Sequence, residues 1–132
     1  MKKIVLSIVL SGLWITFSEF LRNEFLLKEY WVNQFNSLGL TFETLPINGI
    51  LWMVWSFTLA FLLFKFLQKF SMKETILLGW LPSFFMMWIV VFNLQTLPLN
   101  IVFFVFAIPL SIIEILVAII IIKKILHEKI EF

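Results

Sequence analysis

The sequence contains no cysteine, no aspartate and a single histidine, His127. The absence of cysteine excludes disulfides, thiol redox chemistry and metal sites with cysteine ligands. With no aspartate, and with its one histidine in a lysine- and glutamate-rich tail, the chain offers no nucleophile–base–acid set and no histidine metal centre. Phosphate-binding loops, dinucleotide-binding glycine motifs, HExxH and Gly-x-Ser-x-Gly are also absent. We therefore expect a protein that is not an enzyme and that uses no metal or cofactor.

Charge is scarce as well. Only 14% of the 132 residues are charged, whereas 62% are hydrophobic and 18% aromatic, and the mean hydropathy is +1.07. Soluble domains are about 45–50% apolar and about 25% charged, so the composition predicts an integral membrane protein whose first partner is the lipid bilayer. The net charge of +2 comes from lysines that flank apolar runs. We therefore expect no nucleic-acid partner.

The apolar runs predict four transmembrane helices, at about residues 4–25, 47–67, 75–94 and 99–122. About 20 apolar residues are needed to cross a hydrocarbon core of about 30 Å. The uncharged stretch 75–113 would be about 58 Å long as one helix, and the segment NLQTLPLN within it, which contains Pro98, predicts a break. The predicted fold class is all-α: a polytopic membrane protein with four transmembrane helices packed as a bundle, in the single domain 1–132.

Lysine placement predicts the orientation. Eight of the ten basic residues fall on one side of the four predicted spans: Lys2, Lys3, Lys65, Lys69, Lys73, Lys123, Lys124 and Lys129. Only Arg22 and Lys28 fall on the other side. Because positive charge near spans stays cytoplasmic, both termini are predicted to lie in the cytoplasm. The protein itself is predicted in the plasma (inner) membrane of a bacterial-type cell.

The first seventeen residues, MKKIVLSIVLSGLWITF, have the charged start and apolar core of a signal peptide. The nearest cleavage pattern, Thr16-Phe17-Ser18, is poor because it lies between aromatic residues. We therefore expect this segment to be retained as the first span.

Small and polar residues mark helix contacts in membranes, and each predicted span carries a stripe of them. The stripes are Ser7, Ser11 and Ser18 in the first span, Gly49, Ser56 and Ala60 in the second, Gly79 and Ser83 in the third, and Ala107, Ser111, Glu114 and Ala118 in the fourth. On a helical wheel, Glu19 and Arg22 lie on the same half of the first span as its stripe, whereas Trp14 and Phe17 lie on the opposite, lipid-facing half.

Two groups of residues are candidates for a polar site. Glu19 and Arg22 can pair at i,i+3, with Asn23 one turn from Glu19. One interpretation is an ion pair at the membrane boundary whose long side chains reach towards water. The other is an outward-facing polar site, with Asn48 or Asn93 at a similar level. A second pair, Glu24 and Lys28, is expected on a different face, together with Trp31.

Glu114 is the other candidate, because it is the only ionisable residue between Glu74 and Lys123. Its position predicts a depth of about 12 Å from the inner end of the fourth span. An unpaired charge at such a depth costs several kcal/mol. One interpretation is a protonatable site or cation contact facing a cavity. The other is a glutamate, protonated or paired with Lys65, that holds the second and fourth helices together.

Two functional hypotheses follow. The first is a small non-enzymatic membrane protein that packs as an accessory subunit or as an oligomer with itself or with another membrane protein. It predicts packed helices without a continuous cavity at Glu114. The alternative is a small proton-coupled transporter or carrier that uses Glu114, with Glu19 and Arg22 at its outer mouth. The residues assign the chain to no known family.

Overall fold

The structure, a computed structural model, describes residues 1–42, 45–93 and 101–128, with side chains at 1–42, 45–85 and 105–128. In these ranges the chain is all-α, as predicted. The α-helices are α1 (Lys2–Phe20), α2 (Lys28–Ser37), α3 (Pro46–Leu67), α4 (Met72–Asn93) and α5 (Ile101–Leu126). A π-helical turn, Leu21–Leu26, joins α1 to α2.

Within the described residues, three helical stretches are long and apolar enough to cross a membrane: Lys2–Leu26, Pro46–Leu67 and Val105–Leu126. They correspond to the first, second and fourth predicted spans, and they support a membrane protein. The third predicted span, about 75–94, coincides with α4, and its crossing of the membrane stays a prediction. The predicted break, Asn93 to Asn100, begins at the last residue of α4, and the rest of it, 94–100, lies outside the described residues.

Local sequence explains where the helices begin. Pro46 occupies the first turn of α3, where its missing N–H has no intrahelical partner to lose. At the start of α4, the Glu74 carboxylate accepts hydrogen bonds from the Ser71 backbone N–H and hydroxyl, both at 2.8 Å, and the Glu74 N–H donates to the Ser71 oxygen at 3.3 Å. This reciprocal arrangement is a capping box. Pro82 and Pro109 lie inside α4 and α5, as expected for membrane helices.

The core forms where α1 packs against α3 and α5, and α4 packs against the same two helices. Its fully buried members include Ile15, Leu59, Leu63, Ile115 and Ile119. Many of the large apolar side chains outside this core are exposed along the helices, as expected for surfaces that face lipid.

Most of the predicted packing stripes are buried. The buried members are Ser7, Ser11, Ser56, Ala60, Gly79, Ala107, Glu114 and Ala118. Gly49 was wrongly included: it is exposed, and nothing lies within 4 Å of the Cβ that another residue would place there. Gly12 instead marks a close approach, because a Cβ at that position would lie 2.6 Å from the Phe57 ring. The absence of a side chain at Gly12 thus lets α1 approach α3.

One cavity shows how the helix ends are arranged. It is lined by Ile4 from the start of α1, Phe64 and Leu67 from the end of α3, and Leu126 from the end of α5. The start of α1 therefore meets the ends of α3 and α5, so α1 runs antiparallel to both. This arrangement gathers the described lysines that flank these helices at one end, called here the lysine end. Its cytoplasmic location stays a prediction.

Candidate functional site

Three charged side chains from α1, the π-helical turn and α5 meet in the interior. The Arg22 guanidinium lies 2.7 Å from the Glu19 carboxylate, from Nη2 to Oε1. Its other terminal nitrogen, Nη1, donates to Glu114 Oε2 at 3.2 Å. We call Glu19, Arg22 and Glu114 the triad. One arginine therefore joins two glutamates that are 95 positions apart in the sequence.

The triad is almost completely enclosed. Glu19 is 7% exposed and Glu114 is 2% exposed, and the Arg22 side chain is 12% exposed. Moving a charge from water into such a place costs several kcal/mol unless an opposite charge and hydrogen bonds compensate. Arginine suits this task because its planar guanidinium presents several N–H donors in a fixed fork. Here the two arms of the fork point to carboxylates on two different helical segments.

A chain of hydrogen bonds extends from the triad towards α2. The Asn23 amide donates to the Glu19 carboxylate and to the Glu19 backbone carbonyl, each at 3.0 Å. The Trp31 indole N–H in turn donates to Asn23 Oδ1 at 3.2 Å. The prediction that Asn23 lies beside Glu19 is therefore confirmed. The prediction that Trp31 belongs with the Glu24–Lys28 pair misses its contact with Asn23.

Trp14 makes a second link between α1 and α5. Its indole N–H donates to the backbone carbonyl of Glu114 at 3.0 Å, and the residue is half-buried. The helical wheel wrongly placed Trp14 on the lipid-facing half of the first span, although Phe17 on that half is exposed, as expected. An indole has an apolar ring and one polar donor, so it can lie at the edge of a lipid-facing surface and still reach a carbonyl.

The π-helical turn supplies two of these residues, Arg22 and Asn23. It closes with a bond from the Leu27 N–H to the Arg22 carbonyl at 2.8 Å, an i→i+5 spacing in place of the α-helical i→i+4. Leu27 then leaves helical geometry, with φ −113° and ψ 3°. Single π-helical turns inside helices occur frequently at functional sites. The irregularity here coincides with the charged cluster.

The charges of the triad do not balance. With both carboxylates ionised, two negative charges face a single guanidinium, which leaves one excess negative charge in a buried place. A proton on one glutamate, or a small cation, would restore neutrality. Among the residues that the structure describes, no three His, Cys, Asp or Glu side chains are grouped so as to hold a metal ion.

The predicted site residues fall into one cluster. Glu19, Arg22 and Asn23 were expected together, and the structure adds Glu114 to them. The partner of Glu114 is Arg22 and not Lys65, since Lys65 places its ammonium 5.7 Å from the Phe61 ring centroid and 5.9 Å from that of Phe64.

The other predicted polar residues whose side chains the structure describes lie outside the triad. Asn48 is exposed in the first turn of α3, and the side chain of Asn93 lies outside those described. The predicted Glu24–Lys28 pair is present at 3.0 Å, with the Lys28 side chain 47% exposed. It is a surface ion pair outside the buried cluster.

Two cavities lie away from the triad. One, of about 160 Å³, is the cavity at the lysine end. The other is a shallow groove of about 460 Å³ along α3, lined by Ile50, Met53, Val54, Phe57, Thr58 and Phe61. Neither is lined by a member of the triad.

No protein-family model, no curated protein and no solved structure matches the chain. The interpretation of the triad therefore rests on its own geometry.

Proposed function

We propose that the chain is a non-enzymatic membrane protein that acts as a structural subunit, associating with a second copy of itself or with another membrane protein. In this proposal the triad fixes α1 against α5. The observation that carries it is the position of Arg22, which fills the space between Glu19 and Glu114 and contacts both.

The energetics of buried ion pairs support a structural role. Such a pair adds little net stability. Removing one partner is strongly destabilising, because it leaves a buried charge without an opposite charge. A shifted register between α1 and α5 would separate Arg22 from Glu114 in the same way. The triad therefore favours one alignment of the two helices over its neighbours.

The state of the polar groups supports the same role. Glu19, Arg22, Asn23 and Glu114 have partners within the chain. The side chains that remain exposed on the outside of the helices are mainly apolar. In a membrane, helices associate through shape and close packing, so such a surface is suited to contact with other helices.

The test is the assembly state of the purified full chain in lipid nanodiscs, measured by native mass spectrometry, together with proton flux in proteoliposomes containing a pH-sensitive dye. We expect a defined oligomer, or a defined complex with a co-expressed membrane protein, and proton flux no greater than that of empty liposomes. A monomer that conducts protons, with flux lost in Glu114→Gln and kept in the exposed control Glu24→Gln, would contradict the proposal.

A second candidate function is a proton-coupled carrier, which the unequal number of carboxylates and guanidinium groups in the triad favours. Two acids compete for Arg22, so a proton on Glu114 would leave Arg22 paired with Glu19 alone and weaken the contact between α1 and α5. Proton uptake would thus be linked to movement of one helix against another. Intramembrane carboxylates serve as proton relays in pumps and transporters.

The carrier is tested by comparing Glu19→Gln with Glu114→Gln in the same flux measurement. A carrier requires a flux that depends on pH, and at least one of these variants should abolish it. Arg22→Lys keeps the positive charge but loses the two-armed geometry, so in a carrier it should change the pH profile. A structural triad instead predicts changes in unfolding and none in flux.

A further inference from the structure

The cavity at the lysine end combines an apolar lining with a polar opening. Ile4, Phe64, Leu67 and Leu126 form its apolar wall, and the exposed residues Gln68 and Glu128 lie at its edge. Its volume of about 160 Å³ equals the liquid volume of about five water molecules. That space is sufficient for a short stretch of hydrocarbon and too small for a whole lipid chain.

Two lysines lie close to residues of this lining. The Lys65 ammonium lies 5.9 Å from the ring centroid of Phe64, which lines the cavity. The Lys123 ammonium lies 4.0 Å from the carboxylate of Glu128, at the edge of the cavity. That separation is at the outer limit of an ion pair, and the Glu128 side chain is 49% exposed. Glu128 therefore neutralises Lys123 only weakly.

The surroundings of the cavity are strongly basic. Besides Lys65 and Lys123, the described part of this end carries Lys2, Lys3, Lys69, Lys73 and Lys124. The described acids at this end are Glu74, which is occupied by the α4 capping box, and Glu128. An anion would meet a large excess of positive charge here.

We propose that this cavity binds an anionic phospholipid of the leaflet at the lysine end. Part of one acyl chain lies against Ile4, Leu67 and Leu126, and the phosphate contacts Lys65 and Lys123. Basic pockets between membrane helices are known to bind anionic headgroups. An apolar cavity beside the lysines suits a molecule that carries both a phosphate and hydrocarbon.

Charge and shape together select this occupant. A soluble anion would use the lysines but leave the apolar wall unfilled. An uncharged lipid would contact the apolar wall but would gain no electrostatic attraction from the lysines. A phospholipid with a net negative headgroup uses both, and it is available at the boundary where the helices end.

The test is native mass spectrometry of the full chain in uncharged detergent, titrated separately with dioleoylphosphatidylglycerol and dioleoylphosphatidylcholine. We expect one preferred phosphatidylglycerol. With about 1 kcal/mol for each lysine that contacts the headgroup phosphate, Lys65→Gln should weaken binding about fivefold, and Lys65→Gln with Lys123→Gln about 25-fold. The matched control, Lys73→Gln with Lys124→Gln, removes the same charge from the same end and should have a much smaller effect.

The apolar half of the proposal is tested by filling the cavity. Ile4→Phe and Leu126→Phe, made separately, leave the net charge unchanged and should each weaken phosphatidylglycerol binding at least fivefold. Equal binding of the two lipids, or equal losses in the two lysine double variants, would overturn the proposal. Full displacement of the lipid by inorganic phosphate, or no effect of either phenylalanine, would also overturn it, since both outcomes indicate a site for the headgroup alone.

Discussion

The triad and the lysine end use charge in opposite ways. In the triad, the two carboxylates are buried, and each lies within 3.2 Å of the Arg22 guanidinium. At the lysine end, most of the charge has one sign, and every described lysine there except Lys123 is exposed. The triad is closed by its own contacts, whereas the lysine end surrounds an open cavity.

This difference determines how each region responds to change. A buried charge cannot be solvated, so each member of the triad depends on a particular neighbour at a particular distance. Exposed charges are hydrated and screened over about 8–10 Å, so each contributes little alone and several act together. We therefore expect single substitutions to cost more stability in the triad than at the lysine end.

The largest effect is expected from Arg22→Ala. It leaves two buried carboxylates without a cation and should lower the free energy of unfolding by about 3–5 kcal/mol. The measurement is reversible unfolding in detergent micelles. The control, Lys28→Ala, breaks the exposed pair with Glu24 and should cost about 0.5 kcal/mol or less. Equal losses in the two variants would show that burial does not distinguish the triad from a surface pair.

Gly12→Ala should have the next largest effect, because it tests the seam of α1 and α3 between the two regions. The added methyl would overlap the Phe57 ring, and overpacking of this kind costs about 1–3 kcal/mol. The control, Gly49→Ala, adds a methyl in open space on α3 and should be neutral or slightly stabilising, because alanine favours helices. The same unfolding measurement checks both, and a stable Gly12→Ala protein would refute the close approach.

Trp14→Phe should cost about 1 kcal/mol, because it removes the indole donor to the Glu114 carbonyl and keeps most of the ring. Trp52→Phe is the matched control, since Trp52 is 51% exposed. Tryptophan fluorescence during unfolding reports on both variants. If the two lose equal stability, the bond from Trp14 does not contribute to holding α5.

The smallest effect belongs to the lysine end and depends on pH. Hydrogen bonds from the Ser71 backbone N–H and hydroxyl lower the pKa of Glu74 from its ordinary value of 4.5. A lowered folded-state pKa gives stability that is present above the ordinary value and is lost as the pH falls through the folded value. The protection factors of the amides in the first turn of α4, the ratio of the intrinsic to the observed hydrogen-exchange rate, should therefore fall in acid.

Glu74→Gln should abolish this acid dependence, and Ser71→Ala should weaken it by removing the hydroxyl donor. The control, Ser37→Ala, lies at the end of α2 and should leave the profile of α4 unchanged. An acid dependence that persists in Glu74→Gln would assign it to another group.

Short-range features were predictable from the sequence. Helical spacing alone makes residues three or four apart into neighbours, so the Glu19–Arg22 and Glu24–Lys28 pairs could be named in advance. The apolar runs likewise identified the stretches that became α1, α3 and α5. The side of the membrane on which each end lies rests on the lysine asymmetry and stays a prediction.

The contact between Arg22 and Glu114 could not be predicted in this way. The sequence indicates that Glu114 needs a partner, but the choice between Lys65 and Arg22 depends on how far α5 is shifted along α1. That shift is set by packing of residues such as Ile15 and Ile115, whose apolar character fits many alignments. Complementary charge could have suggested Arg22 as a candidate without deciding between the two.

The predictions for Trp14 and Trp31 missed their contacts for a different reason. A helical wheel assigns each residue one direction, and it does not allow for a long side chain that reaches around the helix. It also assumes an unbroken α-helical period, whereas the π-helical turn changes the period after Phe20. The segment LRNEFL contains no proline or glycine that would signal this change.

The π-helical turn places Arg22 at a junction between helices as well as in the charged cluster. Its side chain is anchored to α5 through Glu114, while its backbone carbonyl holds the N–H of Leu27, from which α2 departs. The next residue, Asn23, accepts a hydrogen bond from the indole of Trp31 in α2. Two consecutive residues thus couple a helix beyond the first apolar span to the interior of the molecule. We therefore expect a shift of Glu114 to move the start of α2, because Arg22 contacts Glu114 and also accepts the hydrogen bond from Leu27.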